Sequence, residues 1–179
     1  MKTLLALDLS TTACGWSLWG IDSKELLDSG TARTPTDNFK DNFDKIDFLL
    51  KHFFVALNEK APDFLFVEEA LQKLSGGNSS AQVIAKLIQM NFAGTYALRK
   101  QFGDCPYGFI DVRLARKTLG IKIPRGENAK EVVFSYIRSK YPNLKFEYKK
   151  TGRPKDWEYD RCDAIVLGAA AILLNLPAK

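Results

Sequence analysis

The chain has 179 residues, 46% of them hydrophobic and 12% aromatic, which suits one folded domain with a real core and excludes a disordered polymer. Net charge is +5 but uneven: Arg113 to Lys155 holds 13 Lys or Arg against three acids, so that block carries +10 and the remainder −5, and a polyanionic partner, nucleic acid above all, is expected. No apolar run reaches the roughly 18 residues of a membrane span, no basic-then-apolar signal segment opens the chain, and Cys14, Cys105 and Cys162 lack metal-ligand spacing, so a cytoplasmic protein with free thiols is expected.

Thr3 to Leu9, Gly15 to Gly20 and Lys24 to Arg33 read as three strands of an antiparallel meander, turning at Ser10-Thr11-Thr12 and Ile21-Asp22-Ser23. Phe43, Ile46, Phe48, Leu49, Leu50, Phe53, Phe54 and Leu57 recur at helical spacing and predict an amphipathic helix from Phe39 to Lys60. His52, the single histidine, falls among these core positions and reads as packing. Phe64 to Val67 is a continuous apolar run of strand length, as for a central strand buried on both faces, and it ends in Glu68-Glu69. After a loop from Lys73 to Asn78, with Gly76-Gly77 as its flexible point, Ser79 or Ser80 caps a helix to about Phe102. Its inner residues are expected to be Val83, Leu87, Met90, Phe92, Ala93, Tyr96 and Ala97. Cys105 to Ile110 is a further strand. Asp111 or Val112 opens a basic helix through Leu119, and Asn128 to Tyr141 forms the next. Pro142 to Lys155 reads as a basic loop, and Glu158 to Leu174 as a last helix with a small, apolar far side. The result is one α/β domain over residues 1–179: a mixed five-stranded sheet, three antiparallel strands then two parallel, flanked by helices.

Four acids stand at the ends of these elements. Asp8 ends the first strand and Glu68 the central one. Asp160 and Asp163, three residues apart at the start of the last helix, share a helix face. The run Ala164 to Ala171 is small enough for that helix to lie close on the sheet and carry both aspartates to the strand ends. A bare cluster of four carboxylates repels itself, and hard divalent cations relieve it. Oxygen-only donors select Mg²⁺, with Mn²⁺ as substitute, over zinc. Two such ions ~4 Å apart serve phosphodiester hydrolysis. Glu69 is the rival of Glu68, and strand alternation sends the two to opposite faces.

Leu7-Asp8-Leu9-Ser10 with Gly15, Pro62 to Glu68, and Asp160-Arg161-Cys162-Asp163-Ala164 resemble, in order, the opening strand, central strand and closing helix of the RuvC family of Holliday-junction resolvases, within the ribonuclease-H-like superfamily. The resemblance implies a homodimer that binds branched DNA, four-way junctions foremost, and makes paired nicks with one two-metal site per subunit. It favours Glu68 over Glu69. It implies a catalytic role for Lys130, which follows a glycine turn at a helix start, and leaves Arg116 and Lys117 both standing where the family's other lysine would be. Dimerisation through the helix from Ser79 to Phe102 is implied in the same way. The family's stacking aromatic aligns with Leu71, a departure that bears on how a junction would be opened. The basic block offers Arg113, Arg116, Lys117, Lys122 and Arg125 for DNA. The stretch Lys145 to Trp157 offers Lys149, Lys150, Arg153 and Lys155, interleaved with Tyr148 and Trp157 for stacking on bases. The compact form also resembles bacteriophage enzymes, some of which cut flaps and other branches more loosely.

Two other readings use the same residues. A ribonuclease acting on RNA–DNA hybrids shares the fold and the metal chemistry. Asp8-Leu9-Ser10-Thr11-Thr12 with Gly15 also resembles the phosphate-binding turn of the actin, hexokinase and sugar-kinase superfamily. That nucleotide-binding reading requires a second, similar domain, and no second copy of the turn occurs.

Overall fold

The computed structural model describes residues 1–34, 39–55, 61–69 and 81–175. Ten elements follow one another: β1 (Thr3–Leu9), β2 (Ala13–Gly20), β3 (Leu26–Arg33), α1 (Asn42–His52), β4 (Phe64–Glu68), α2 (Ala81–Gln101), β5 (Tyr107–Ile110), α3 (Val112–Thr118), α4 (Ala129–Lys140) and α5 (Asp156–Leu173). The sheet order is β3-β2-β1-β4-β5. β1 pairs antiparallel with β2 and β2 with β3, whereas β4 runs parallel to both β1 and β5. This is the mixed sheet expected, and the fold is ribonuclease-H-like.

The central strands are apolar on both faces because helices cover both. Alternation sorts their side chains into two cores. Leu4 and Ala6 of β1 and Phe66 of β4 join α3, α4 and α5 in one cluster. Leu5, Leu7 and Leu9 of β1 and Leu65 and Val67 of β4 join α1 and α2 in the other. α5 is the most deeply packed helix, with Ile165, Val166 and Leu167 fully buried. Among the described residues no helix is long and apolar enough to cross a membrane, and all three cysteines are free and buried.

Several boundaries differ from the sequence expectation. α1 starts at Asn42, where the Asp41 carboxylate accepts from the Phe43 and Asp44 amides, and stops at His52, shorter than the Phe39 to Lys60 helix expected. Phe43 lies 67% exposed on it. His52 sits on the surface rather than in the core, its ring stacked on Phe48 at 4.4 Å. On α2 the buried stripe is Met90, Asn91, Gly94, Thr95 and Leu98. Val83, Phe92 and Tyr96, expected inside, are exposed, because α2 carries apolar residues on more than the stripe it buries. The expected loop at Gly76-Gly77, the Ser79/Ser80 cap, Leu71 and the end of the first helix, Leu57 included, lie outside the described residues.

α5 begins at Asp156, so Asp160 and Asp163 stand beyond its first turn. Capping therefore accounts for neither aspartate. The Lys145 to Lys155 stretch is a folded turn and not an open loop. Tyr148 bridges Pro154, the Lys149 amide donates to the Arg153 carbonyl at 2.7 Å, and Gly152 supplies the positive φ of 79°.

Candidate active site

The acids are brought together by strand parity and by two glycines. Asp8 is in phase with Leu4 and Ala6, and Glu68 with Phe66, so both carboxylates leave the sheet on the α5 side. The parallel register pairs Leu7 with Val67, which sets Asp8 beside Glu68 one step further on. Glu69 lies past the strand, with its amide donating to the Ile110 carbonyl. The buried Asn91 of α2 pins this strand end, its Nδ2 donating to the Glu68 carbonyl at 2.6 Å.

α5 lies directly on β2. A Cβ on Gly15 would overlap the Asp160 carbonyl, and one on Gly168 would overlap the Trp19 indole. Ser17 Oγ donates to the Ala164 carbonyl at 2.7 Å and accepts from Trp19 Nε1 at 2.9 Å, locking the helix in register. Gly15→Ala is therefore expected to lift the Asp160 turn, costing about 1–3 kcal/mol by overpacking. It should lower the melting temperature and cripple the site together. A variant with unchanged melting and activity would show that the α5 contact is loose.

The electrostatics match the convergence. Burial, then the charges of Glu68, Asp163 and Asp160, push the Asp8 carboxyl well above the usual range, and it donates a hydrogen bond to Glu68. Burial and Asp163 raise Glu68 to about 7, against the lowering pull of the Asp8 hydrogen bond and Arg116. Burial also raises Asp160, opposed by Lys130. Two cations reach in from other elements. Arg116 of α3 meets Asp163 at 3.0 Å, and Lys130 of α4 meets Asp160 at 3.2 Å. Partial burial pushes Lys130 down, but Asp160, Asp163 and Asp8 outweigh it and hold its pKa raised. Of the two residues left open in sequence, Arg116 faces the acids and Lys117 is exposed.

Among the described residues no three His, Cys, Asp or Glu side chains form a ready-made cation site. Asp160 and Asp163 are instead turned to Lys130 and Arg116, and Asp8 is hydrogen-bonded to Glu68. The donor set nonetheless fits a hard divalent ion. Every donor is a carboxylate oxygen, and the raised Asp8 and Glu68 mark a surplus of negative charge that such an ion relieves.

The predicted DNA contacts divide into groups. Arg113, Arg116, Lys117 and Lys122 line one cleft of about 280 Å³ with Gly120, Ile121 and Ile123. Arg125, Lys150 and Arg153 are exposed. Lys149 pairs with Asp156 at 2.7 Å and Lys155 with Glu147 at 2.6 Å. Trp157 is already flanked by cations, Arg33 at 4.0 Å from its ring and Lys155 at 4.8 Å.

Sequence reasoning missed three things. Asn91 is absent from the inner residues expected of α2, and its place beside Met90 on the buried stripe is the one signal that it points inward. Arg161, between the two aspartates, ties α5 to Ser29 Oγ at 3.0 Å and to the Lys145 carbonyl at 2.9 Å. Lys45 donates to the Thr11 carbonyl at 2.8 Å, bracing the turn that follows Asp8, and no local signal announces it.

Sheet order, strand directions and the placement of α5 are those of a ribonuclease-H-like fold. Among solved structures the chain is similar to Thermus thermophilus RuvC in complex with Holliday junction substrate, with a TM-score of 0.65 and 14% identity over 97% of this chain and 94% of that one. Another Thermus thermophilus RuvC structure matches at 0.59 and 15% identity, covering 97% and 95%. The yeast mitochondrial Holliday junction resolvase Ydc2 matches at 0.56 and 13%, covering 95% and 77%. No family model matches the sequence, and no curated protein does either.

Proposed function

We propose that this chain is a divalent-metal-dependent, structure-selective DNA endonuclease that resolves four-way junctions by paired nicks. The observation that carries the reading is the electrostatic coupling of buried Asp8 to Glu68, Asp160 and Asp163, from three elements, with Arg116 and Lys130 paired to the last two acids and a basic cleft alongside. The fold shared with two junction resolvases supports it.

Asp8, Glu68, Asp160 and Asp163 would hold the metal, Mg²⁺ or Mn²⁺, two ions per site. When bound, the metal supplies water activation and charge stabilisation for phosphodiester hydrolysis. The protein's own groups do the rest. The α5 contact fixes Asp160 and Asp163 against the strand ends. Lys130, held protonated by Asp160, places a positive charge where a phosphate's oxygens gather negative charge. Arg116 keeps the buried Asp163 oriented, and its planar guanidinium would also suit a phosphate oxygen. Arg113, Lys117 and Lys122 would hold flanking phosphates. Lys150 and Arg153, exposed at the tip of the folded turn, would reach further along an arm, with Arg125 beside α4.

Paired nicks require two sites, so the working form is proposed to be a homodimer. Phe92 and Tyr96, 59% and 61% exposed on α2, supply an apolar face for a second copy, with Phe92 against Phe109 at 5.5 Å.

The test offers four-way, flap, nicked and RNA–DNA hybrid substrates side by side, with Mg²⁺, Mn²⁺ and Ca²⁺. Preferential, symmetrical nicking of the four-way junction is expected. Equal cutting of flaps would mark a general debranching nuclease, and cutting of the hybrid alone would overturn the DNA reading.

A further inference from the structure

We infer that a second phosphate-binding cleft, between the start of α1, α2 and the β1–β2 turn and so on the sheet face opposite the α3 cleft, holds the DNA strand that runs past Asp8. The inference rests on the DNA-cleavage reading and extends its contact surface into the half of the chain whose net charge is negative.

The cleft encloses about 410 Å³ and is lined by Thr11, Phe39, Lys40, Asp41, Asn42, Lys45, Val83, Lys86, Leu87 and Gln89. Three lysines thus line one concavity. None of Lys40, Lys45 and Lys86 forms an ion pair among the described residues. The acids nearby have other work. Asp41 caps α1 through the Phe43 and Asp44 amides at 2.8 and 3.1 Å, and Asp44 Oδ2 accepts from the Lys40 amide at 3.1 Å. The walls are tied together. Asn42 Nδ2 donates to the Lys86 carbonyl at 3.0 Å, joining α1 to α2, and Lys45 joins α1 to the turn through Thr11.

That last bond gives the cleft its direction. Thr11 is three residues from Asp8, a span of at most ~11 Å of extended chain. One strand of B-DNA advances 3.4 Å per nucleotide, so the Thr11 edge of the cleft stands within about three nucleotides of a phosphate at Asp8. Phe39 and Leu87 add an apolar wall against which a sugar or base edge can rest. Charge, position and continuity with the acidic centre all fit a strand of phosphates. The paired lysines of the folded turn, Lys149 and Lys155, have partners to lose before they could serve the same purpose.

The experiment measures four-way-junction binding by fluorescence anisotropy at several salt concentrations without Mg²⁺, for the full chain, for a Lys40→Ala/Lys86→Ala variant, and for a Lys149→Ala/Lys155→Ala variant. Losing two phosphate contacts should flatten the slope of log K against log salt by about 1.8 and weaken binding about tenfold near 0.15 M salt. The Lys149/Lys155 variant should change less. An unaltered slope for Lys40→Ala/Lys86→Ala, while the parent chain binds the junction, overturns the cleft and leaves the nuclease reading standing. Equal losses in both variants overturn it too, since general charge would then explain the effect. A parent chain with no junction affinity removes the underlying reading and the cleft with it.

Discussion

Asp8→Asn is expected to lower junction nicking by about 10²–10³-fold or more, the scale of losing one preorganised charge-stabilising group, while junction binding persists. The same substitution should raise the melting temperature of the metal-free protein. Both effects come from one fact: Asp8 is a buried carboxyl whose pKa is pushed up by burial and by three other acids. At neutral pH its ionised form costs native stability. Asn keeps the shape, donates to Glu68 as the protonated acid does, and carries no charge. Function is lost because a neutral amide is a poor ligand for a hard dication. Single-turnover cleavage, anisotropy and thermal melting read the three quantities. Unchanged cleavage would remove Asp8 from the site. A lower melting temperature would show that its carboxylate is not under repulsion. Glu68→Gln should repeat the pattern, and Glu69→Gln should not, because Glu69 lies past the strand that aims Glu68.

What was legible in the sequence was the skeleton that carries the acids. Runs such as Leu4 to Leu7 and Phe64 to Val67 admit little but buried strands, and an acid at the end of such a run is exposed to a site. The run Ala164 to Ala171 announced a helix that lies close to a sheet, and Gly15 and Gly168 show how closely. Contacts between distant residues of ordinary type were not legible. Lys45 braces Thr11 across 34 positions, and Asn91 reaches the Glu68 carbonyl across 23. Nor could pattern alone choose the buried side of α2, where Phe92 and Tyr96 are as apolar as the residues that face inward. Charge counting could not show the pairing within the Lys145 to Lys155 stretch for a related reason. Lys149 and Lys155 have acid partners seven and eight residues away, and net charge says nothing of pairing. The same blindness hid Lys40, Lys45 and Lys86 within an acidic half.

The metal-free protein should lose stability as pH rises from about 4.5 to 8, and millimolar Mg²⁺ should restore it at the upper end. Glu68 has a folded value of about 7 against the usual 4.5. Between these values the native protein retains a proton that the unfolded chain has released. The contribution is therefore fully present below pH 4.5 and is lost as pH climbs through 7. For Glu68 this amounts to on the order of 3 kcal/mol, or about 6–12 °C of melting temperature for a chain this size. Asp8 acts in the same direction. A bound dication reverses the sign, because it favours the ionised carboxylates and binds the native state alone. Melting with EDTA at pH 5 and pH 7.5, then with Mg²⁺ at both, isolates the effect. Stabilisation by Mg²⁺ should be large at pH 7.5 and small at pH 5, where protons compete for the same oxygens. Glu68→Gln should flatten the pH dependence of the metal-free protein and blunt the response to Mg²⁺. Equal Mg²⁺ stabilisation at both pH values would place the ion elsewhere. A metal-free protein whose stability is flat from pH 5 to 7.5 would show that burial and Asp163 do not raise Glu68.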